Sequence, residues 1–549
     1  MIGGVTAAPP TAFVHARLFD GRRHRGDAGP VVVQDGRVVA VGGEVPSGAR
    51  VVDCAGGLLS PGFTDAHVHT VQGGLERVRC DLSEDTSRED YLRTVQAYAA
   101  AHRDRPWVLG GGWAMAAFPG GTPLAADLDA VVPDRPVFLP NRDHHGAWVN
   151  SRALELAGIT RETPDPPDGR FERDAEGHPT GTLHEGAMAA VVRVLPRTTA
   201  AEYDAALLEG QSHLHSLGVV GWQDAIVGSY AGMDDPGPAY VRAAERGTLT
   251  AHVVGALWWD REQGVEQVGS LVERRAAYTS GRFRATSVKI MQDGVAENFT
   301  AALGEPYLDR CGHATSNRGH SFVDAAALAE AVGALDAQGF QVHVHAIGDR
   351  GVRETLDAFA TLPRTGPARD LRHHVAHLQL VDPADVRRFA ELGVAANAQA
   401  LWACHDDQMD ELTIPFLGEE RTRWQYPFGD LERAGTRLVM GSDWPVSSPD
   451  PLAAIHVAVN RWEHGTDASR PFLPEQAISL ESAFAAYTSG SAWVDHRDDA
   501  GHLAPGAVAD LVLLDRDPFA GEVADVGATR VVATWVDGRL VGGEDPGDA

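Results

Sequence analysis

The chain has 549 residues, 44% of them hydrophobic and 22% charged, and a formal net charge of −29. This is the make-up of a globular enzyme long enough for a barrel plus an appended domain, and its acidity argues against nucleic-acid or anionic-membrane partners. Four scattered cysteines without a Cys-x-x-Cys pair exclude a disulfide framework, no run approaches the ~18 apolar residues of a membrane span, and Met1-Ile2-Gly3-Gly4 lacks a basic-then-apolar leader, so a soluble, unprocessed cytoplasmic protein is expected.

From 12 to 59 the chain alternates short β-branched runs with turn signals. Val31-Val32-Val33 and Val38-Val39-Ala40-Val41 flank Asp35-Gly36, a hairpin signature. The same vocabulary returns near the end, in Leu511-Val512-Leu513-Leu514 and in Val531-Val532-Ala533-Thr534-Trp535-Val536 before Asp537-Gly538. Residues 1–59 and 489–549 are therefore expected to build one small β domain, with 60–488 inserted between them.

Within 60–488, strand-like runs alternate with amphipathic helical stretches, the pattern of repeated βα units on a parallel sheet. The candidate strands are 58–69, 218–224, 250–256, 285–292, 339–345, 371–379, 393–397 and 437–443. Eight of them predict an α/β fold of the (β/α)8 type, a TIM-like barrel whose reactive residues stand at the C-terminal strand ends. The stretch 71–199 is too long for one connection and is read as an insertion helping to cover the barrel mouth.

His67-Val68-His69 closes the first candidate strand, and residues two apart in a strand face the same side, so both imidazoles can reach one metal ion. Taken alone, the pair equally fits two structural histidines. Lys289 is the only lysine among 47 basic residues and lies in the buried-strand pattern Ser287-Val288-Lys289-Ile290-Met291. Where arginine serves every ordinary need for positive charge, a lone buried lysine points to chemistry that a guanidinium cannot perform: loss of its proton, nucleophilic attack, or capture of carbon dioxide as a carbamate. His345, His377 and Asp443 follow at three later strand ends. His343 shares a strand face with His345 and is its rival for the same role, and His374 neighbours His377.

These residues sit in strings that carry a resemblance: Pro61-Gly62-Phe63-Thr64-Asp65-Ala66-His67-Val68-His69, Val288-Lys289-Ile290 followed by Asp293-Gly294, His345-Ala346-Ile347-Gly348-Asp349-Arg350, Gly441-Ser442-Asp443-Trp444-Pro445-Val446, and Gly501-His502-Leu503-Ala504-Pro505-Gly506. The chain resembles the amidohydrolase superfamily, and within it the family of the N-substituted formamide deformylases. The resemblance implies a metal-bearing barrel with a β-sandwich made from the terminal segments. It implies that His67, His69 and Asp443 hold one zinc, that His345 and His377 hold a second, and that a carboxylated Lys289 bridges them, with manganese, iron or cobalt as possible substitutes. It further implies hydrolysis of a non-peptide C–N bond in a small-molecule amide by metal-activated hydroxide, with Asp443 as general acid–base, and a possible homodimer. His145 is a candidate oxyanion donor, and Trp113, Glu185, Asp293 and Trp402 lie in strings resembling the family's pocket loops. The alternatives are a cyclic-amide hydrolase, an aminated-heterocycle deaminase, for which Lys289 has no obvious use, and a non-catalytic metal-binding scaffold.

Overall fold

The computed structural model describes residues 9–230, 232–363, 369–544 and 546–548. The Met1–Gly4 leader reading lies outside them. Eight strands form one parallel sheet in sequence order: β1 (Phe63–Val68), β2 (Val219–Val227), β3 (His252–Trp258), β4 (Phe283–Met291), β5 (Gln341–Ala346), β6 (His374–His377), β7 (Ala395–Ala398) and β8 (Leu438–Met440). The sheet curls on itself. Its outer strands are stitched where Asp443 N–H donates to His67 C=O at 2.7 Å, His69 N–H to Trp444 C=O at 2.8 Å, and Ser442 N–H to the Asp65 carboxylate at 3.0 Å. A nearly closed (β/α)8 barrel results, with helices such as Gly237–Arg246, Ala325–Ala337 and Asp349–Ala360 packed outside strands whose alternate residues fill the core.

The candidate strand 58–69 is in fact two strands. Leu58–Pro61 pairs with Arg17–Phe19 and Leu511–Leu514, and Phe63–Val68 enters the barrel. The break falls at Gly62, whose N–H donates to Asp510 C=O at 2.9 Å and where a side chain would meet Val220 Cγ1 at 2.3 Å. Only a residue without Cβ lets the chain pass from one sheet to the other here.

Both chain ends contribute to the six-stranded sheet that contains Leu58–Pro61, and Thr11–Val14, Val31–Gln34, Arg37–Val41 and Arg50–Asp53 form a second sheet beside it. Phe13, Leu59, Leu511 and Trp535 share the core between these sheets, which makes the small β-sandwich. Both Asp-Gly pairs form tight hairpins with positive φ at each residue, 50° and 77° at Asp35-Gly36 and 47° and 69° at Asp537-Gly538, as the primed turn requires.

Between β1 and β2, the helices Thr70–Arg77 and Ala200–Ser216 bracket a six-stranded sheet running from Cys80–Asp81 to Pro179–Glu185. This sheet has hydrophobic clusters of its own. The turn between its two central strands, Val137–Pro140 and Gly146–Val149, carries Asp143, His144 and His145 to the open end of the barrel.

Candidate active site

The six ligand-type side chains meet in one chamber at the C-terminal ends of the strands. Strand direction puts them there: His67 lies in β1, Lys289 in β4, His345 in β5, His377 ends β6, and His69 and Asp443 stand just past β1 and β8. In the parallel register Met291 lies opposite His345 and Ala346 opposite His377, so successive strands deliver their side chains to one rim.

His67 Nε2 lies 3.1 Å and His69 Nε2 2.8 Å from Asp443 Oδ1, yet that buried oxygen has no aligned hydrogen-bond partner. Lys289 Nζ is 3.3 Å from His67 Nε2. His377 Nδ1 is 3.8 Å from Asp443 Oδ2 and is likewise unpartnered, and the His345 and His377 rings lie 4.3 Å apart. Donor atoms that converge in a buried space, with Asp443 Oδ1 and His377 Nδ1 left without hydrogen-bond partners, suit divalent cations. His and carboxylate donors with a neutral amine form a set that zinc accepts.

The electrostatics agree with that fit. Burial pulls Lys289 down to about 7, against the opposing pull of Asp443, so its amine exists in substantial neutral fraction at physiological pH. Burial and the Lys289 charge lower His67 to about 3, and burial holds His345 and His377 well below their usual range. Neutral imidazoles are the form that ligates metal. Burial alone would raise the Asp443 carboxyl, but His67, His69 and His377 outweigh it and keep the group ionised.

A supporting layer fixes these side chains. His343 Nε2 is 2.8 Å from His67 Nδ1, and His343 Nδ1 is 2.6 Å from Gln223 Oε1. His343 is therefore one layer deeper than His345: it backs His67 and does not line the chamber. Gln399 Oε1 accepts the His377 N–H at 2.6 Å, holding that residue at φ 81°; Asp443 is held at φ 60°. Backbone strain of this kind persists only where surroundings over-determine it. Asp65 accepts N–H groups from His67 and Ser442, tying β1 to the loop after β8.

The residues expected around the substrate separate into groups. His145 lines the chamber, with Nδ1 2.9 Å from Glu185 Oε2. Burial would lower this imidazole, but Glu185 raises it to about 9, leaving Nε2–H as a cationic donor. Glu185 also accepts from Thr300 Oγ1 at 2.8 Å and stands behind the wall. Asp293 likewise stands behind it, accepting the N–H groups of Ile347, Gly348 and Ala302 and lying 3.6 Å from His345 Nε2. Trp402 lines the chamber and stacks on His377, with ring centroids 5.4 Å apart and planes 6° from parallel.

Trp113 is not a wall residue. It is 1% exposed inside the insertion's own core, edge-on to Phe118, with its indole N–H donating to Leu139 C=O at 2.8 Å. A large ring with its one polar atom satisfied is held by packing, and the chamber walls come from Tyr230, Trp258 and Ile226. These three residues are signalled by no motif.

The sequence profile of the amidohydrolase family matches residues 50–542. The chain belongs to the amidohydrolase family. It is 29% identical over 494 residues to the putative amidohydrolase YtcJ of Bacillus subtilis (strain 168), covering 88% of this chain and 89% of that one. It is 26% identical over 545 residues to the N-substituted formamide deformylase of Arthrobacter pascens, covering 96% of each. Among solved structures, an uncharacterized metal-dependent hydrolase from Pyrococcus furiosus superposes with a TM-score of 0.69 at 27% identity, over 93% of this chain and 99% of that one. This amidohydrolase is a metal-dependent hydrolase, and no helix among its described residues is long and apolar enough to cross a membrane.

Proposed function

We propose that this amidohydrolase cleaves the C–N bond of a small non-peptide amide, of the N-substituted formamide type, at a two-metal centre. The observation that carries the reading is the sole lysine, buried in one chamber with four imidazoles and Asp443. His67, His69 and Asp443 would hold one cation and His345 and His377 the other, with Lys289, carboxylated, joining them. Bound there, the cations supply Lewis acidity and make water acidic enough to ionise near neutral pH.

The remaining work falls to the chain's own groups. Asp443, ionised and held at the chamber floor, takes the proton of the attacking water and delivers it to the leaving nitrogen. His145, cationic and oriented by Glu185, donates from Nε2 to the carbonyl oxygen as negative charge develops there. Trp402, Tyr230 and Trp258 present apolar walls to the amide's substituent and keep bulk water out. The products are a carboxylic acid and an amine.

The test is turnover of a panel of N-substituted formamides, other acyclic amides and cyclic amides, with acid and amine release measured alongside zinc content. Stoichiometric amine and formate support the reading; a zinc-loaded protein inert to the whole panel refutes it.

A further inference from the structure

Outside the set of residues that line the chamber, the connection after β4 contains a hairpin whose tip carries Asp309, Cys311 and His313. Leu308 bridges Ala314, Asp309 N–H donates to His313 C=O at 2.8 Å, and Thr315 N–H donates to Tyr307 C=O at 2.9 Å. Residues at i, i+2 and i+4 thereby come to one side of the turn. One ligand atom from each lies within 4.8 Å of the other two, and all three side chains are exposed. The tip is held before any ligand arrives. One Asp309 oxygen accepts the N–H groups of Cys311 and His313, the Arg310 guanidinium lies 5.5 Å over the Phe416 ring, and Gly312, at φ 81°, makes the reversal.

A second cluster of ligand types, His252 with Asp510 and Asp537, makes an instructive contrast. There Arg497 pairs with Asp510, and Arg282 pairs with Asp537 and reaches His252, so the acidic charge is already answered. At the hairpin no ion pair to a lysine or arginine involves Asp309 among the described residues, and its second oxygen meets only His313 Nδ1, at 3.4 Å. Neither the Cys311 thiol nor His313 Nε2 has a hydrogen-bond partner among them.

We propose that Asp309, Cys311 and His313 form a second metal site, separate from the barrel centre, for a borderline divalent ion such as zinc. Thiolate and imidazole select zinc-like ions over magnesium or calcium, and three protein ligands leave a fourth, tetrahedral position for water. The thiol gives up its proton on binding, so affinity rises with pH. An ion here clamps the tip of the same connection that supplies Asp293 and Thr300 to the supporting layer behind the chamber.

The site has a spectroscopic signature that the barrel cannot produce. No cysteine lines the barrel centre, and Cys54, Cys80 and Cys404 are buried elsewhere. Titration with Co2+ of the full-length protein, freed beforehand of zinc at exposed sites by brief treatment with a chelator, is expected to give a near-ultraviolet thiolate-to-cobalt band saturating at one equivalent per chain, and zinc added in its place is expected to slow alkylation of Cys311. Cys311→Ser should abolish the band. His313→Ala and Asp309→Asn, the latter able to keep the turn's hydrogen bonds, should each weaken Co2+ binding by at least the roughly tenfold that even outer-shell changes cost. No thiolate band at millimolar Co2+, or a band of undiminished affinity in both weakened variants, overturns the proposal.

Discussion

Lys289 Nζ lies 3.3 Å from His67 Nε2 at the end of β4, both groups buried, and the chain contains no other lysine. A charged ammonium in that position would be poorly solvated and would repel both cations of a metal pair. A carbamate made from the neutral amine reverses the sign, turning the same side chain into an anionic bridge. Lys289→Ala is therefore expected to lose at least one metal and about 1000-fold or more in kcat/KM, with partial rescue by acetate or propionate. Metal analysis and kinetics in the presence and absence of the acid check this, and full activity without rescue would speak against the bridge.

Asp443→Asn keeps the shape of the side chain but removes its charge and its ability to accept a proton. A loss of about 100-fold to 10,000-fold in kcat is expected, the range attributed to positioned acid–base groups. Proton inventory or solvent isotope effects distinguish loss of proton transfer from simple loss of metal, which zinc analysis reports separately.

His343 does not line the chamber, yet its Nε2 sits 2.8 Å from His67 Nδ1. His343→Leu is expected to weaken metal binding about 10-fold to 100-fold while leaving KM for the amide nearly unchanged once metal is saturating. Competition with a chelator measures the first quantity, and steady-state kinetics at high zinc the second.

The His145–Glu185 pair makes an alkaline limb. A histidine raised to about 9 donates as a cation at neutral pH and loses that ability as pH climbs through about 9, so activity should fall there. The sign for stability is the same: the pair's contribution is complete below about 6.5 and disappears as pH rises through about 9. Glu185→Gln removes the negative partner, so the alkaline limb should move to lower pH and kcat at pH 8 should fall about 100-fold. An unmoved limb in this variant would assign it to another group.

Much of this molecule is legible in its sequence because the barrel uses local signals. Five of the eight strand-length apolar runs carry a histidine, lysine or aspartate of the chamber at or just past their ends and mark the rim, and both Asp-Gly pairs announce their hairpins. Trp113 and the supporting layer escape that reading for a common reason. Whether a tryptophan faces a chamber or a core depends on how the insertion sheet packs, and Gln223, Gln399 and Asp65 gain their roles only when strands far apart in sequence are brought together. His343 and His345 share one strand face, so spacing leaves them equivalent; depth within the barrel separates them.

The most direct test of a lysine-bridged metal pair is a crystallographic map at the end of Lys289 combined with anomalous scattering at the zinc edge. The account predicts two anomalous peaks about 3.5–4 Å apart, one beside His67, His69 and Asp443 and the other beside His345 and His377, with planar density on Nζ joining them. A bare Nζ, or a zinc-loaded crystal with no peak beside His67 or His345, would contradict it.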